Sequence, residues 1–241
     1  MGQRLRPGAC PAVTRSVYCM GHRVNRMIYE LSDDLVFPDV ELAEPRGLLA
    51  FGGDLSVDRL LLAYRSGIFP WYGEDQPILW WSPDPRFVLF PDKLKVSKSL
   101  RRVVKSGKFE VTFDRDFAGV IANCRTVRRK HENSTWITPD MQQAYCRLHE
   151  AGHAHSVEAW LDDKLVGGLY GVVVGTCFCG ESMFAHERDA SKVALVTLVE
   201  KPFPPGLSLI DCQVRTPHLG TLGAEMIQRT EFVRLLRLAQ A

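Results

Sequence analysis

Leu165-Val-Gly-Gly-Leu-Tyr-Gly-Val-Val-Val-Gly175, Cys177-Phe-Cys-Gly-Glu-Ser-Met-Phe184, the run Ala190 to Glu200, and Leu209-Ile-Asp-Cys-Gln-Val214 follow one another almost without interruption. The apolar, β-branched segments read as buried strands, and the run between the second and third reads as a helix. Asp162-Asp163 makes a turn into the first segment. Glu181, Asp211 and Gln213 stand inside these strands. A buried carboxylate costs free energy unless it is paired, so chemistry is expected here. On a regular strand Asp211 and Gln213 point to the same face.

Upstream, Thr138-Pro139-Asp140 is a strong helix start: an N-cap, proline at the first helical position and an acid in the first turn. Met141, Ala144, Tyr145 and Leu148 make its buried face, and Gly152 ends it. An alternating strand follows, with Ser156, Glu158 and Trp160 on one face and His155, Val157 and Ala159 on the other. A last helix spans Thr230 to Ala239. Strands and helices segregated in this way predict an α+β domain. Nearer the N-terminus, Gly47 to Asp54 reads as a short buried segment and a tight turn. Ser56 caps a helix through Leu60, Leu61, Ala63 and Tyr64 that ends at Gly67. The expected organisation is a disordered leader over 1–26, a small N-terminal α/β domain over 27–90 and the larger domain over 91–241.

The 241 residues suffice for one large domain or two small ones, and composition is ordinary for a globular chain. No apolar run approaches the roughly 20 residues that span a bilayer, so no membrane partner is expected. Seven cysteines, an odd number scattered through apparent strands and helices, fit reduced thiols in the cytoplasm better than a disulfide framework. Cys177-x-Cys179 and His153-x-His155 make zinc conceivable, but structural zinc pairs usually have two to four intervening residues. Buried thiols and hydrogen-bonded histidines are the preferred reading. Residues 1–26 carry five arginines and no acid. That composition allows a transit peptide; a disordered tail ahead of Met27 is favoured.

Trp71, Trp80 and Trp81 crowd eleven residues. Each reads either as core or as a stacking platform for a base, and Trp71, beside a proline, is the better platform candidate. Lys93 to Lys108 holds seven basic residues and no acidic one. Lys98, Arg101, Arg102 and Lys105 share one helical stripe, with Leu100, Val103 and Val104 turned to the core. A solvated face is the plain alternative; an uninterrupted basic stripe favours phosphate contacts. Arg125, Arg128, Arg129 and Lys130 are expected to extend it.

The element order resembles the acetyltransferase fold whose best-known members bind acetyl-CoA. Their pyrophosphate turn is glycine-rich; the equivalent here, His186 to Lys192, has no glycine and carries acids. The motifs resemble a narrower family, the bacterial leucyl/phenylalanyl-tRNA–protein transferases, over about Phe37 to Leu236. They are Gly47-Leu-Leu-Ala-Phe-Gly-Gly-Asp54, Gly67-Ile-Phe-Pro-Trp71, Trp80-Trp-Ser-Pro-Asp-Pro-Arg86, Ser134-Thr-Trp-Ile-Thr138, Gly152-His-Ala-His-Ser-Val-Glu158, Phe178-Cys-Gly-Glu-Ser-Met-Phe184, Ala190-Ser-Lys192 and Leu209-Ile-Asp-Cys-Gln-Val214. His218 and Leu222-Gly-Ala224 complete the set. Ala185, His186, Asp189, Thr216 and Pro217 depart from the family pattern.

The resemblance implies an acetyltransferase-like catalytic domain that moves leucine or phenylalanine, with methionine as a further donor, from aminoacyl-tRNA onto a protein N-terminal Arg or Lys. That step marks the acceptor for N-degron degradation and uses neither metal nor CoA; the chain is expected to be a cytoplasmic monomer. It implies Asp211 and Gln213 as the catalytic pair with Glu181 beside them. Trp71 and Trp136 lie around the terminal adenosine and aminoacyl group. Leu169, Phe178, Met183, Leu195 and Ile210 form a side-chain pocket, and Lys98 to Lys105 contact tRNA. In the expected chemistry the Gln213 carbonyl oxygen orients the attacking amine and Asp211 relays its proton; a merely structural Asp–Gln pair is the alternative. Two other readings stand beside this one, an acetyl-CoA-dependent N-acetyltransferase and a non-catalytic tRNA-binding module.

Overall fold

The computed structural model describes residues 28–127 and 136–241. The expected leader, Arg128 to Lys130, and Ser134 and Thr135 lie outside the described residues. Two sheets organise the chain. The small one contains β1 (Tyr29–Leu31), β2 (Leu48–Gly52), β3 (Phe69–Pro70) and β4 (Leu79–Trp81) in the order β1-β2-β4-β3, with α1 (Val57–Arg65) between β2 and β3. β1 runs parallel to β2, and the other pairings are antiparallel. The Ser56 side chain caps α1 by accepting the Arg59 N–H, and Gly67 follows it at φ 76°, a conformation that favours glycine.

The chain then changes sheet between Trp81 and β5 (Arg86–Leu89). A boundary at residue 90 would cut β5 from the sheet it belongs to. The large sheet has seven strands, completed by β6 (Glu110–Phe113), β7 (Ala154–Leu161), β8 (Lys164–Val174), β9 (Cys177–Ala185), β10 (Leu209–Gln213) and β11 (Glu225–Ile227), in the order β11-β5-β10-β9-β8-β7-β6. Between β5 and β10 come α2 (Lys98–Lys105), α3 (Phe117–Thr126), α4 (Pro139–Glu150) and α5 (Ala190–Glu200). α6 (Pro217–Thr221) and α7 (Arg229–Ala239) follow it. β6 to β9 are an antiparallel meander, α5 crosses over, and β10 returns parallel to β9. This is the acetyltransferase-like α+β order expected from the sequence.

Each face of the large sheet carries its own core. On one face α3 and α4 pack with α1, α7 and the small sheet, so Leu49, Tyr64, Trp80, Tyr145, Tyr170 and Phe232 belong to a single cluster. On the other, α2 and α5 cover Leu89, Leu169, Phe178 and Ile210. Close approach of α5 depends on Gly167 of β8: a Cβ there would stand 2.4 Å from that of Ala190. No helix among the described residues is long and apolar enough to cross a membrane.

Candidate active site

β9 and β10 are paired only at Leu209–Asp211 with Cys177–Cys179. Beyond that the two strands part, and a cavity of about 340 Å³ opens between them. All seven residues expected around the donor, Trp71, Trp136, Leu169, Phe178, Met183, Leu195 and Ile210, line it. Glu181 and Gln213 do as well. Trp71 is 41% exposed at the cavity, with Trp81 against it and the Trp81 indole N–H donating to its carbonyl. Trp80 is fully buried core.

Glu181 and Gln213 are each delivered to the cavity by a strand irregularity. In the β8–β9 ladder Tyr170 faces Ser182 and Gly171 faces Gly180, so Glu181 is the extra, unpaired residue. In the β10–β5 ladder Asp211 faces Val88 and Gln213 faces Phe87, leaving Cys212 extra. Bulges bend a strand and re-aim side chains, which is the effect here. Gln213 has φ 62°. A left-handed residue that is not glycine costs roughly 1–2 kcal/mol and needs something to hold it. The holder is Asp211, whose Oδ1 accepts the Gln213 N–H at 2.9 Å.

This corrects the expectation that Asp211 and Gln213 share a face. Ile210 and Cys212 line the cavity, whereas Asp211 is fully buried behind its wall. The bulge turns Gln213 away from the Asp211 side into the cavity. Asp211 is engaged by Arg86 through both oxygens, Nε to Oδ1 at 2.8 Å and Nη2 to Oδ2 at 2.6 Å. The Arg86 guanidinium is also fully buried. Burial disfavours its charge, but the Asp211 carboxylate outweighs that and lifts its pKa above the ordinary value. Asp211 thus stands outside the cavity lining, bonded to Arg86 and to the Gln213 backbone N–H.

Glu181 is 8% exposed. Its Oε1 accepts from Gln213 Nε2 at 2.6 Å and its Oε2 from the Tyr145 hydroxyl at 3.0 Å. Tyr145 in turn shares a short hydrogen bond with the Tyr64 hydroxyl. Burial pushes the Glu181 carboxyl up to about 7, against the stabilising hydrogen bonds of the tyrosines and Gln213 and with a smaller push from the Asp211 charge. The same burial, with the Glu181 charge beside them, raises both tyrosines well above their usual value. Glu181 is thus a carboxylate with neutral donors around it and no cation bonded to it among the described residues. It sits in the cavity wall.

Arg86, Tyr64, Tyr145 and His218 were not singled out for roles. Arg86 is the one charge in the run Arg86-Phe-Val-Leu-Phe90, a usable signal. Tyr145 was legible only as core. His218 lines the cavity beside Thr216 and Leu219; burial, then the nearby Lys192, lowers its pKa.

Lys98, Arg101, Arg102 and Lys105 are exposed together on α2, with Leu100 buried beneath. Arg125 lies on α3 and bonds Gln142. Cys177 and Cys179 are buried against each other. His155 clusters with His149 and Asp114 rather than with His153. His149 Nδ1 faces the Ala154 carbonyl at 2.8 Å, so it carries a proton there and offers no lone pair to a metal. At the turn before α5, Asp189 has φ 68° and accepts from Lys192 at 3.0 Å. Its carboxylate opposes an anion at that helix end.

Residues 88–237 match the family model for leucyl/phenylalanyl-tRNA protein transferase, and residues 53–84 match the model for that enzyme's N-terminal domain. The chain belongs to the leucyl/phenylalanyl-tRNA–protein transferase family. Proteins named leucyl/phenylalanyl-tRNA–protein transferase are 60% identical over 209 residues in Syntrophobacter fumaroxidans (87% of this chain, 89% of that one) and 58% identical over 213 residues in Solidesulfovibrio magneticus (88% and 86%). In Flavobacterium johnsoniae the identity is 50% over 210 residues, 87% of this chain and 99% of the relative. Among solved structures, a GCN5-related N-acetyltransferase from Kribbella flavida aligns with a TM-score of 0.34 at 12% identity, over 68% of this chain and 58% of that one. That likeness is too loose to bear on function. As a member of the transferase family the chain is an aminoacyltransferase.

Proposed function

We propose that this chain transfers leucine or phenylalanine, and methionine as a further donor, from aminoacyl-tRNA to the α-amino group of a protein whose first residue is Arg or Lys. The product enters an N-degron route in the cytoplasm, and the chain works as a monomer. The donor is the charged tRNA itself; neither CoA nor a metal takes part. The observation that carries the reading is Glu181, a cavity carboxylate held, among the described residues, by neutral donors only. A buried carboxylate is stable as an anion when a cation completes it, and an acceptor guanidinium or ammonium supplies that cation.

The chemistry is aminolysis of an ester. The acceptor amine nitrogen bonds to the aminoacyl carbonyl carbon, the bond from that carbon to the ribose oxygen breaks, and one amine proton ends on that oxygen. Because Gln213 Nε2 is committed to Glu181, its Oε1 is left to accept a hydrogen bond from the incoming amine. A free α-amino group has a pKa of about 7.7–8.0, so a neutral fraction exists without a strong base. Positioning supplies most of the rate, up to roughly 7–11 kcal/mol in favourable cases. Leu169, Phe178, Met183, Leu195 and Ile210 give the donor side chain an apolar seat, which supports Leu and Phe over polar residues. Trp71 and Trp136 stack on the terminal adenosine and aminoacyl group, and the α2 stripe contacts tRNA phosphates.

The test is direct. Purified protein, leucyl-tRNA and an Arg-initiated peptide are mixed, and the peptide is weighed by mass spectrometry. The expected result is a gain of one leucine residue, with little on an Ala-initiated peptide. No gain with any charged tRNA overturns the reading.

A further inference from the structure

Between the small sheet and the wall of the cavity lies Arg86, a buried cation with no place in the chemistry above. Each side of its guanidinium is occupied. Nε and Nη2 grip the two oxygens of Asp211, and Nη1 donates to the Gly67 carbonyl at 3.2 Å. The rings of Phe69 on β3 and Phe232 on α7 lie 4.7 and 4.5 Å from its centre. Arg86 does not line the cavity; Phe69 does. The grip extends two bonds further: the Asp211 Oδ1 that takes Arg86 Nε also takes the Gln213 N–H, and the Gln213 side chain then reaches Glu181.

We propose that Arg86 is a positioning residue for the transfer reaction: by clamping Asp211 from behind the cavity wall, it holds Gln213 in its left-handed turn and so sets where the amine-binding oxygen stands. Without the clamp, the Asp211 carboxylate is free to rotate away from the Gln213 N–H. The strand then relaxes toward regular alternation, which carries the Gln213 side chain to the Asp211 side. Lysine cannot substitute, since a point charge makes no bidentate grip and does not fill the slot between two rings. β3, the turn after α1 and α7 all bear on this one guanidinium, which is how elements outside the cavity fix its geometry.

The role rests on the transferase reading, and the test separates the two. Arg86→Met strands a buried carboxylate and can unfold the chain. The deciding variant is therefore Arg86→Met combined with Asp211→Asn, which removes the stranded charge and keeps an oxygen for the Gln213 N–H. Melting by circular dichroism, leucyl-tRNA Kd, and kcat and KM for the Arg-initiated peptide are measured alongside wild type and Arg86→Lys. A displacement of about 1 Å at a reacting group costs on the order of a hundredfold in rate. Expected is a folded double variant with wild-type Kd for tRNA and kcat lowered about a hundredfold, and an intermediate kcat for Arg86→Lys. Wild-type kcat in the double variant means that Arg86 only neutralises Asp211, and overturns the proposal; so does tRNA binding lost in step with rate. Backbone chemical shifts of Gln213 give a readout independent of the reaction. The double variant should lose the left-handed signature, and its retention overturns the proposal. If the wild type itself transfers nothing, the transferase reading fails while the Gln213 shifts still decide the role of Arg86.

Discussion

Glu181 ionises where its surroundings oppose charge. Its carboxyl titrates near 7 in the fold against an ordinary value of 4.5. As pH rises between these values the unfolded chain gives up the proton and the folded chain keeps it. The contribution to stability is whole below about 4.5 and is lost as pH approaches 7. Glu181→Gln should therefore melt higher than wild type at pH 8, with the gain shrinking toward pH 5. At about 1.4 kcal/mol per pKa unit, the gain is at most a few kcal/mol. Thermal melts across pH check it; a gain independent of pH would refute the placement. Function trades against this, as is usual for a strained site. The polar residues themselves were legible in the sequence, because Glu181, Asp211 and Gln213 interrupt apolar strands. Their division of labour was not. Alternation put Asp211 beside Gln213 in the cavity, and only a bulge, which no glycine at 212 or 213 announces, puts it behind the wall.

Among the elements, α2 is where charge and exposure coincide. Lys93 and Lys108 flank it and are paired with Glu225 and Glu187. No ion pair among the described residues engages Lys98, Arg101, Arg102 or Lys105. Reversing these four charges should weaken tRNA binding and flatten its salt dependence, each lost phosphate contact changing the log–log slope by about 0.7–0.9. Filter binding from low to high salt measures this, and an unchanged slope makes α2 a plain solvated face. A second expectation concerns the seat of α5 on β8. Gly167→Ala pushes a methyl into Ala190 and should cost about 1–3 kcal/mol in urea unfolding; no loss of stability would mean that α5 shifts freely. Helix starts were readable because Ser56 and Thr138 carry the capping chemistry. Asp162 and Asp163, both at positive φ, form the hairpin turn that was expected. α3 was not readable: Gly119 and its β-branched neighbours are poor helix formers, and packing on β8 and β9 secures it.

At the scale of the molecule, the small sheet reaches the cavity, which Phe69, Pro70 and Trp71 help to line. Tyr64 and Trp71 come from its side of the chain, and Gly67 and Phe69 hold Arg86. The core around Trp80 continues into α4, β8 and α7. A fragment comprising 88–241, which lacks these residues, should unfold without a cooperative transition and transfer nothing; a sharp urea transition in that fragment would show that the large sheet folds alone. Local punctuation in the sequence marks turns, and it carries no record of which sheet the next strand joins. That β5 pairs with β10 and β11 follows from the contacts of the whole chain.

The cation reader at the centre of the proposed reaction has its own measurement. Single-turnover transfer from leucyl-tRNA is compared for peptides beginning with Arg and with its neutral isostere citrulline, in wild type and in Glu181→Gln. A charge-assisted hydrogen bond is worth roughly 1.5–3 kcal/mol, about a tenfold to hundredfold preference. Wild type should favour Arg by that factor, and Glu181→Gln should bring the ratio close to one with leucyl-tRNA binding unchanged. A preference for Arg that survives Glu181→Gln intact would contradict it.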